Sequence, residues 1–80
     1  MTRIVWTEPA KADVRALDKP TAMRVLAALH RFAETGQGNV KSLHGIDELR
    51  LRIGDYRLFF LPVGDAIEIR RVLHRSEAYR

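Results

Sequence analysis

The sequence predicts an α+β domain: an N-terminal strand, a two-helix antiparallel hairpin, then a three-stranded antiparallel meander. The helices pack on one face of a small, mainly antiparallel sheet. Three observations carry this. From Glu48 to Ile53 apolar and charged residues alternate strictly, with Leu49, Leu51 and Ile53 set against Glu48, Arg50 and Arg52. That period of two marks a half-buried strand. Ala22, Val25, Leu26, Leu29, Phe32 and Ala33 fall at i, i+3, i+4, i+7, i+10 and i+11, a single apolar stripe along a helix. The helical patterns are also grouped between an opening strand and a run of strands. Such segregation belongs to α+β architecture.

Taken in order, residues 2–6 read as a short strand. Thr7 then serves as N-cap of the first helix, its hydroxyl accepting an orphan backbone N–H. Glu8 suits the positive end of the helix dipole, and Pro9 is harmless in a first turn. Ala10, Val14 and Leu17 continue at helical spacing. The helix stops near Asp18-Lys19-Pro20, because the residue before proline is pushed out of the α region. Pro20 opens the second helix, whose stripe is core, and Gly36 is its natural C-terminal cap. Gly36-Gln37-Gly38-Asn39 is a loop, and residues 40–45 connect it to the meander.

Gly54-Asp55 supplies a turn or bulge, since glycine takes positive φ without steric cost. Tyr56-Arg57-Leu58-Phe59-Phe60-Leu61 forms the next strand, rich in the aromatics that strands favour. Gly64-Asp65 signals another turn. The last strand covers residues 66–73, where the apolar alternation slips between Ile69 and Val72. That slip predicts a bulge or a change of burial at Arg70-Arg71.

Eighty residues make one domain, residues 1–80. The chain has no cysteine, which excludes disulfides and thiolate metal sites and fits a reducing cytoplasm. The N-terminus lacks the pattern of a signal peptide. No apolar run approaches the roughly 20 residues of a membrane span, so no membrane partner is expected. The net charge is +4, which points to a polyanionic partner. It is spread evenly: six basic and four acidic residues lie at positions 1–40, eight and six beyond. Any basic patch must therefore be assembled by folding.

Three arginines, Arg50, Arg52 and Arg57, lie within one hairpin. They are either a solvated outer face or an anion-binding one, since the planar guanidinium fork suits phosphate. His30 reads as a surface or boundary residue of the second helix, and His44 as a structural or solvated loop residue. No histidine shows metal-ligand spacing. His74, Arg75 and Tyr79 cluster where the last strand ends, offering an imidazole, a guanidinium and a phenol. A phosphoryl-transfer centre uses such groups; alternatively Tyr79 is an amphipathic anchor.

Three stretches together resemble the RelE branch of the RelE/ParE toxin superfamily. They are Lys41-Ser42-Leu43-His44-Gly45, then Glu48-Leu49-Arg50-Leu51-Arg52-Ile53-Gly54-Asp55-Tyr56-Arg57, then His74-Arg75-Ser76-Glu77-Ala78-Tyr79. The resemblance covers essentially the whole chain, in order and spacing. It implies the toxin of a type II toxin–antitoxin pair, a metal-independent, cofactor-free mRNA endonuclease acting on the ribosome. In such cleavage the ribose 2′-hydroxyl attacks the adjacent phosphate. The resemblance assigns Arg57, Arg75, Tyr79 and His74 to catalysis, and Arg50, Arg52 and Lys41 to RNA and phosphate binding. It puts Glu48 where relatives carry a lysine, so the general base is open; a carboxylate beside phosphate either turns away to pair with an arginine or yields the role to His74. The implied partners are a cognate antitoxin whose disordered segment wraps the toxin, the ribosome and mRNA. DNA is contacted only within the toxin–antitoxin complex. ParE-like inhibition of DNA gyrase, and a catalytically inactive member acting as antitoxin partner or co-repressor, share the same fold and remain alternatives.

Overall fold

The computed structural model describes residues 2–42 and 47–78. The elements follow in the order β1 (Arg3–Trp6), α1 (Glu8–Arg15), α2 (Lys19–Thr35), β2 (Asn39–Ser42), β3 (Leu49–Ile53), β4 (Tyr56–Val63), β5 (Ala66–His74) and α3 (Arg75–Ala78). The strands form a five-stranded sheet in the order β1-β5-β4-β3-β2. Strands β2 to β5 are antiparallel neighbours, and β1 lies parallel to β5 at one edge. This is the expected α+β layout with two additions. Strand β2 extends the meander from three strands to four, and α3 adds a helical turn after β5. Strand β2 escapes the sequence pattern for a physical reason. It is an edge strand of four residues with only Val40 half-buried, so it has no alternation to show.

The caps explain the helix boundaries. The Thr7 hydroxyl accepts the Ala10 N–H at 3.3 Å. The same hydroxyl donates to the Ile69 carbonyl at 2.7 Å, tying the start of α1 to β5. Helix α2 is capped by Asp18, which accepts the Thr21 N–H at 3.2 Å and the Thr21 hydroxyl at 2.7 Å. Its predicted C-cap, Gly36, has φ 75° and donates its N–H to the Phe32 carbonyl. Both predicted Gly-Asp pairs are two-residue hairpin turns. Gly54 and Gly64 have φ of 57° and 59°, while no non-glycine residue described has positive φ. Glycine at the first central position is the II′ pattern, whose twist matches that of the flanking strands.

The core lies between α2 and one face of the sheet. Val25 and Leu29 pack against Leu51, Ile53, Leu58, Phe60, Ile69 and Val72, all buried. Val14, Leu17 and Phe32 pack at its margin, with the Phe32 and Phe60 rings 5.3 Å apart. Leu26 stands outside this cluster, in a groove with Trp6 and Val14. The predicted slip in β5 is a bulge. Phe59 pairs with Arg71 and Phe60 with Ile69, which leaves Arg70 over. The extra residue lets Ile69 and Val72 both face the helices although they are three apart, and both are buried.

Candidate functional site

The face of the sheet opposite α2 carries the cations. Leu51, Ile53 and Leu58 face the core, so their alternating neighbours face away. The register arranges those neighbours in two cross-strand rows. One holds Asn39, Arg52, Arg57 and Leu73; the next holds Lys41, Arg50, Phe59 and Arg71. Arg52 is thus directly opposite Arg57, and Lys41 directly opposite Arg50. Side chains so paired stand about 5 Å apart at Cβ, and like charges there weaken a sheet. Four of the predicted site residues, drawn from three strands, are gathered on one face.

Within this face Arg57 is distinct, being only 6% exposed. Its Nη1 donates to the Gly54 carbonyl at 2.9 Å and to the Tyr56 carbonyl at 3.0 Å. The guanidinium is thereby anchored to the β3–β4 turn, while Arg52 and Lys41 stand exposed and Arg50 half-buried. Arg75 comes to the same end of the sheet. Its N–H donates to the Asp55 carbonyl at 2.7 Å, and its Nε lies 3.9 Å from the Asp55 carboxylate. Arg75 thus meets the β3–β4 turn through Asp55, and no contact between the Arg75 and Arg57 guanidinium groups is among those described. A carboxylate, absent from the sequence-based picture, sits beside Arg75.

His74 is elsewhere. It pairs across the strands with Tyr56, next to Arg57 and therefore on the other face. Its ring meets Tyr56 edge-on, centroids 5.3 Å apart, in a cleft shared with Asp13, Leu17 and Glu77. Its Nδ1 accepts the Ser76 N–H at 3.2 Å and lies 2.9 Å from the Ser76 hydroxyl. An amide N–H can only donate, so Nδ1 is the acceptor and the neutral ring carries its proton on Nε2. The expected convergence of His74 with the arginines is therefore corrected: the two-residue period of β5 turns the imidazole toward α1. Tyr79, and likewise His44, lie outside the described residues.

Glu48 is half-buried and immediately precedes β3. It lines a cleft of about 400 Å³ with Thr7, Pro9, Glu68, Arg70 and Arg71. Both arginines there have other carboxylates. Arg70 pairs with Glu68 at 3.4 Å and Arg71 with Asp13 at 2.7 Å. Among the described residues Glu48 forms no ion pair, so of the two alternatives the one in which it turns away to meet an arginine is not observed.

Asp13 is the residue that sequence reasoning missed. Its carboxylate takes the Arg71 guanidinium by two bonds, at 2.7 and 3.1 Å, and the Val72 N–H at 2.9 Å. Strand β1 pairs β5 only as far as Ile69. Beyond it α1 closes the edge of β5, with Thr7 and Asp13 satisfying the bulge. The hydrogen bonds that Arg71 donates to the Asp13 carboxylate raise the Arg71 pKa above its ordinary value. The signal was present, since Asp13 falls three after Ala10 and four before Leu17. A charge on the apolar stripe of a helix needs a partner.

The family described as ParE toxin of type II toxin–antitoxin system, parDE, matches residues 4–79. A search of curated proteins returns no match. Among solved structures, a chain of the RelB–RelE antitoxin–toxin complex from Methanococcus jannaschii matches with TM-score 0.78 at 22% identity, covering 94% of each chain. A chain of the RelE–RelB complex from Pyrococcus horikoshii OT3 matches with TM-score 0.78 at 23% identity, over 96% of this chain and 99% of that one. The isolated Escherichia coli RelE toxin matches with TM-score 0.77 at 19% identity, over 99% and 92%. At these identities the likenesses speak for the fold.

Proposed function

This chain belongs to the ParE toxin family of type II toxin–antitoxin systems, within the RelE/ParE superfamily, and we propose that it is an endoribonuclease that cuts mRNA on the ribosome. The observation that carries the reading is the cationic face. Lys41, Arg50, Arg52 and Arg57 share one side of the sheet in directly opposed pairs. A backbone phosphate between them converts mutual repulsion into shared attraction.

In this reading Arg52, Arg50 and Lys41 hold the phosphates of a single strand. Arg57, fixed by the turn, presents charge to the phosphoryl oxygens as negative charge develops on them. Glu48, half-buried just before β3 and without an ion pair among the described residues, takes the proton from the 2′-hydroxyl. The hydroxyl oxygen bonds to phosphorus, the 5′-oxygen leaves, and a 2′,3′-cyclic phosphate remains. Tyr79, by its resemblance to the family's terminal tyrosine, gives the leaving oxygen its proton, and Arg75 adds charge at the hairpin end. His74 serves by holding the turn into α3, ahead of Tyr79 in the chain. The partner is a cognate antitoxin, as in the antitoxin–toxin complexes that share the fold, and the setting is the cytoplasm.

The test is mapping of RNA ends after brief induction in growing cells, comparing the wild type with Glu48→Gln. The expected result is new 5′-hydroxyl ends within translated mRNA for the wild type and their loss in the variant, with RNA binding retained. The family's description also names ParE, and a toxin of that kind acts on gyrase without a catalytic base. Intact mRNA together with a DNA-damage response would establish that second reading.

A further inference from the structure

A hollow of about 490 Å³ adjoins the cationic face at the β2–β3 end of the sheet. Ala27, Ala28 and Leu51 supply its apolar wall, and Arg31, Gln37 and Arg52 its polar groups. That size falls within the roughly 300–1,000 Å³ of sites that take small ligands. Arg52 belongs to both places. It stands opposite Arg57 in the cationic row. It is also the last β3 residue that β2 covers, paired there with Asn39. The hollow therefore opens where the cationic face ends, and a strand bound on that face reaches it past Arg52.

Local sequence builds the hollow. Ala27 and Ala28 lie one turn before Arg31 on α2, so two small side chains leave room beside the guanidinium. A methyl group at Gly38 would come within 2.7 Å of Leu51 Cδ1 and 3.4 Å of Phe32 Cδ1. Glycine thus lets the loop after α2 close directly on the core, which sets Gln37 beside Arg31. Gln37 Oε1 accepts from Arg31 Nε at 3.2 Å and from Arg31 Nη2 at 3.0 Å. The Gln37 amide nitrogen is left as a donor, and guanidinium N–H groups remain as well. Among the described residues neither Arg31 nor Arg52 forms an ion pair. Two guanidinium groups without a carboxylate, set at an apolar wall, suit an anion that carries a less polar body.

We infer that this hollow is a subsite for one phosphodiester of the RNA strand being cut, outside the residues that do the chemistry. Arg31 and Arg52 bind its oxygens, and the adjoining nucleoside lies against Ala27 and Ala28. This rests on the reading that the cationic face binds RNA. It carries the bound strand around the end of the sheet toward α2. Arg31 then adds affinity only for a strand long enough to reach it, and takes no part in bond cleavage.

The experiment measures binding of 2′-O-methyl RNA oligonucleotides, which lack the attacking hydroxyl, lengthened one residue at a time. The proteins compared are the wild type, Arg31→Gln, Arg31→Lys, Ala27→Leu and Arg52→Ala. Arg31 and Ala27 are exposed, so the fold tolerates their replacement. Wild-type affinity should gain about tenfold at the length that reaches the hollow. That gain should vanish in Arg31→Gln, and also in Ala27→Leu, which fills the hollow without removing charge. Arg31→Lys should restore part of it. The shorter oligonucleotides should bind these three variants and the wild type alike. For the longer ones Arg31→Gln should lower the slope of log affinity against log salt by about 0.7. The Arg31 Nε–H resonance, held in its bond to Gln37, should move with the longer oligonucleotides and stay with the shorter. No gain with length, or an equal gain in Arg31→Gln, overturns the subsite; if Arg52→Ala still weakens the shorter oligonucleotides, the cationic face stands. No effect of Arg52→Ala at any length, or no binding by any oligonucleotide, overturns both readings.

Discussion

Arg57, a residue 6% exposed whose guanidinium is anchored to two carbonyls, cannot be altered without touching stability, and this governs how the arginines should be tested. Arg57→Ala removes the donor from the Gly54 and Tyr56 carbonyls, and each lost bond costs about 0.5–1.5 kcal/mol. Toxicity lost in that variant would mix chemistry with folding. Arg52 is exposed and faces Arg57 across the strands, so Arg52→Ala isolates the binding term. We expect Arg52→Ala to retain the wild-type melting temperature with weakened RNA binding, and Arg57→Ala to lose both stability and toxicity. Equal RNA binding by Arg52→Ala and the wild type would remove the cationic face from the function. His74 allows a second separation. If its work is to accept the Ser76 N–H, His74→Asn should keep most activity, because an amide oxygen accepts the same bond, while His74→Ala should not. The pH–rate profile of His74→Asn should keep the wild-type shape. A general acid–base role predicts the opposite, loss in both variants together with loss of a limb of the profile.

At the scale of elements, the hydrogen-bonded caps are side chains that close a helix end and also reach beyond it. Thr7 binds α1 to β5, and Asp13 binds the same helix to the bulge, so the short α1 is held by polar contacts as much as by Ala10, Val14 and Leu17. Asp18 does the same work locally for α2. The Thr21 hydroxyl and, next, its backbone N–H hold the Asp18 carboxyl below its ordinary value of 3.8. Protonation is disfavoured in the folded state, so the contribution is fully present above the unfolded value and is lost as pH falls through the folded one. The stability difference between wild type and Asp18→Ala, measured by denaturant titration, should therefore be constant at neutral pH. It should shrink only once pH falls below about 4. A difference that grew on acidification would contradict the cap.

For the whole molecule, polarity is divided between two faces of one sheet: α2 and the apolar core on one, cations on the other. RNA binding through that outer face should weaken steeply with added salt, since each phosphate contact releases a condensed counterion. Replacing Arg52 should reduce the slope of log affinity against log salt by about 0.7, the value for a single-strand contact. A slope unchanged in that variant would move RNA to another surface. Local patterns in the sequence determined much of this. Helices, both Gly-Asp turns, the Thr7 and Gly36 caps, the bulge near Arg70 and the burial of Leu29 all follow from spacings of a few residues, where backbone sterics and hydrophobic periodicity act directly. The cations of the outer face were legible too, because alternation in β3 already separates Arg50 and Arg52 from the core. Tertiary structure alone decided the rest. Edge strand β2 has too little burial to mark itself, and the parallel place of β1 beside β5 joins residues more than 60 positions apart. The sequence neighbours His74 and Arg75 looked like a single reactive cluster, yet strand parity sends the imidazole toward α1 while the Arg75 backbone binds the hairpin turn. Side-chain direction within a strand is local, but which face looks onto helices and which onto solvent is settled only when the whole sheet packs.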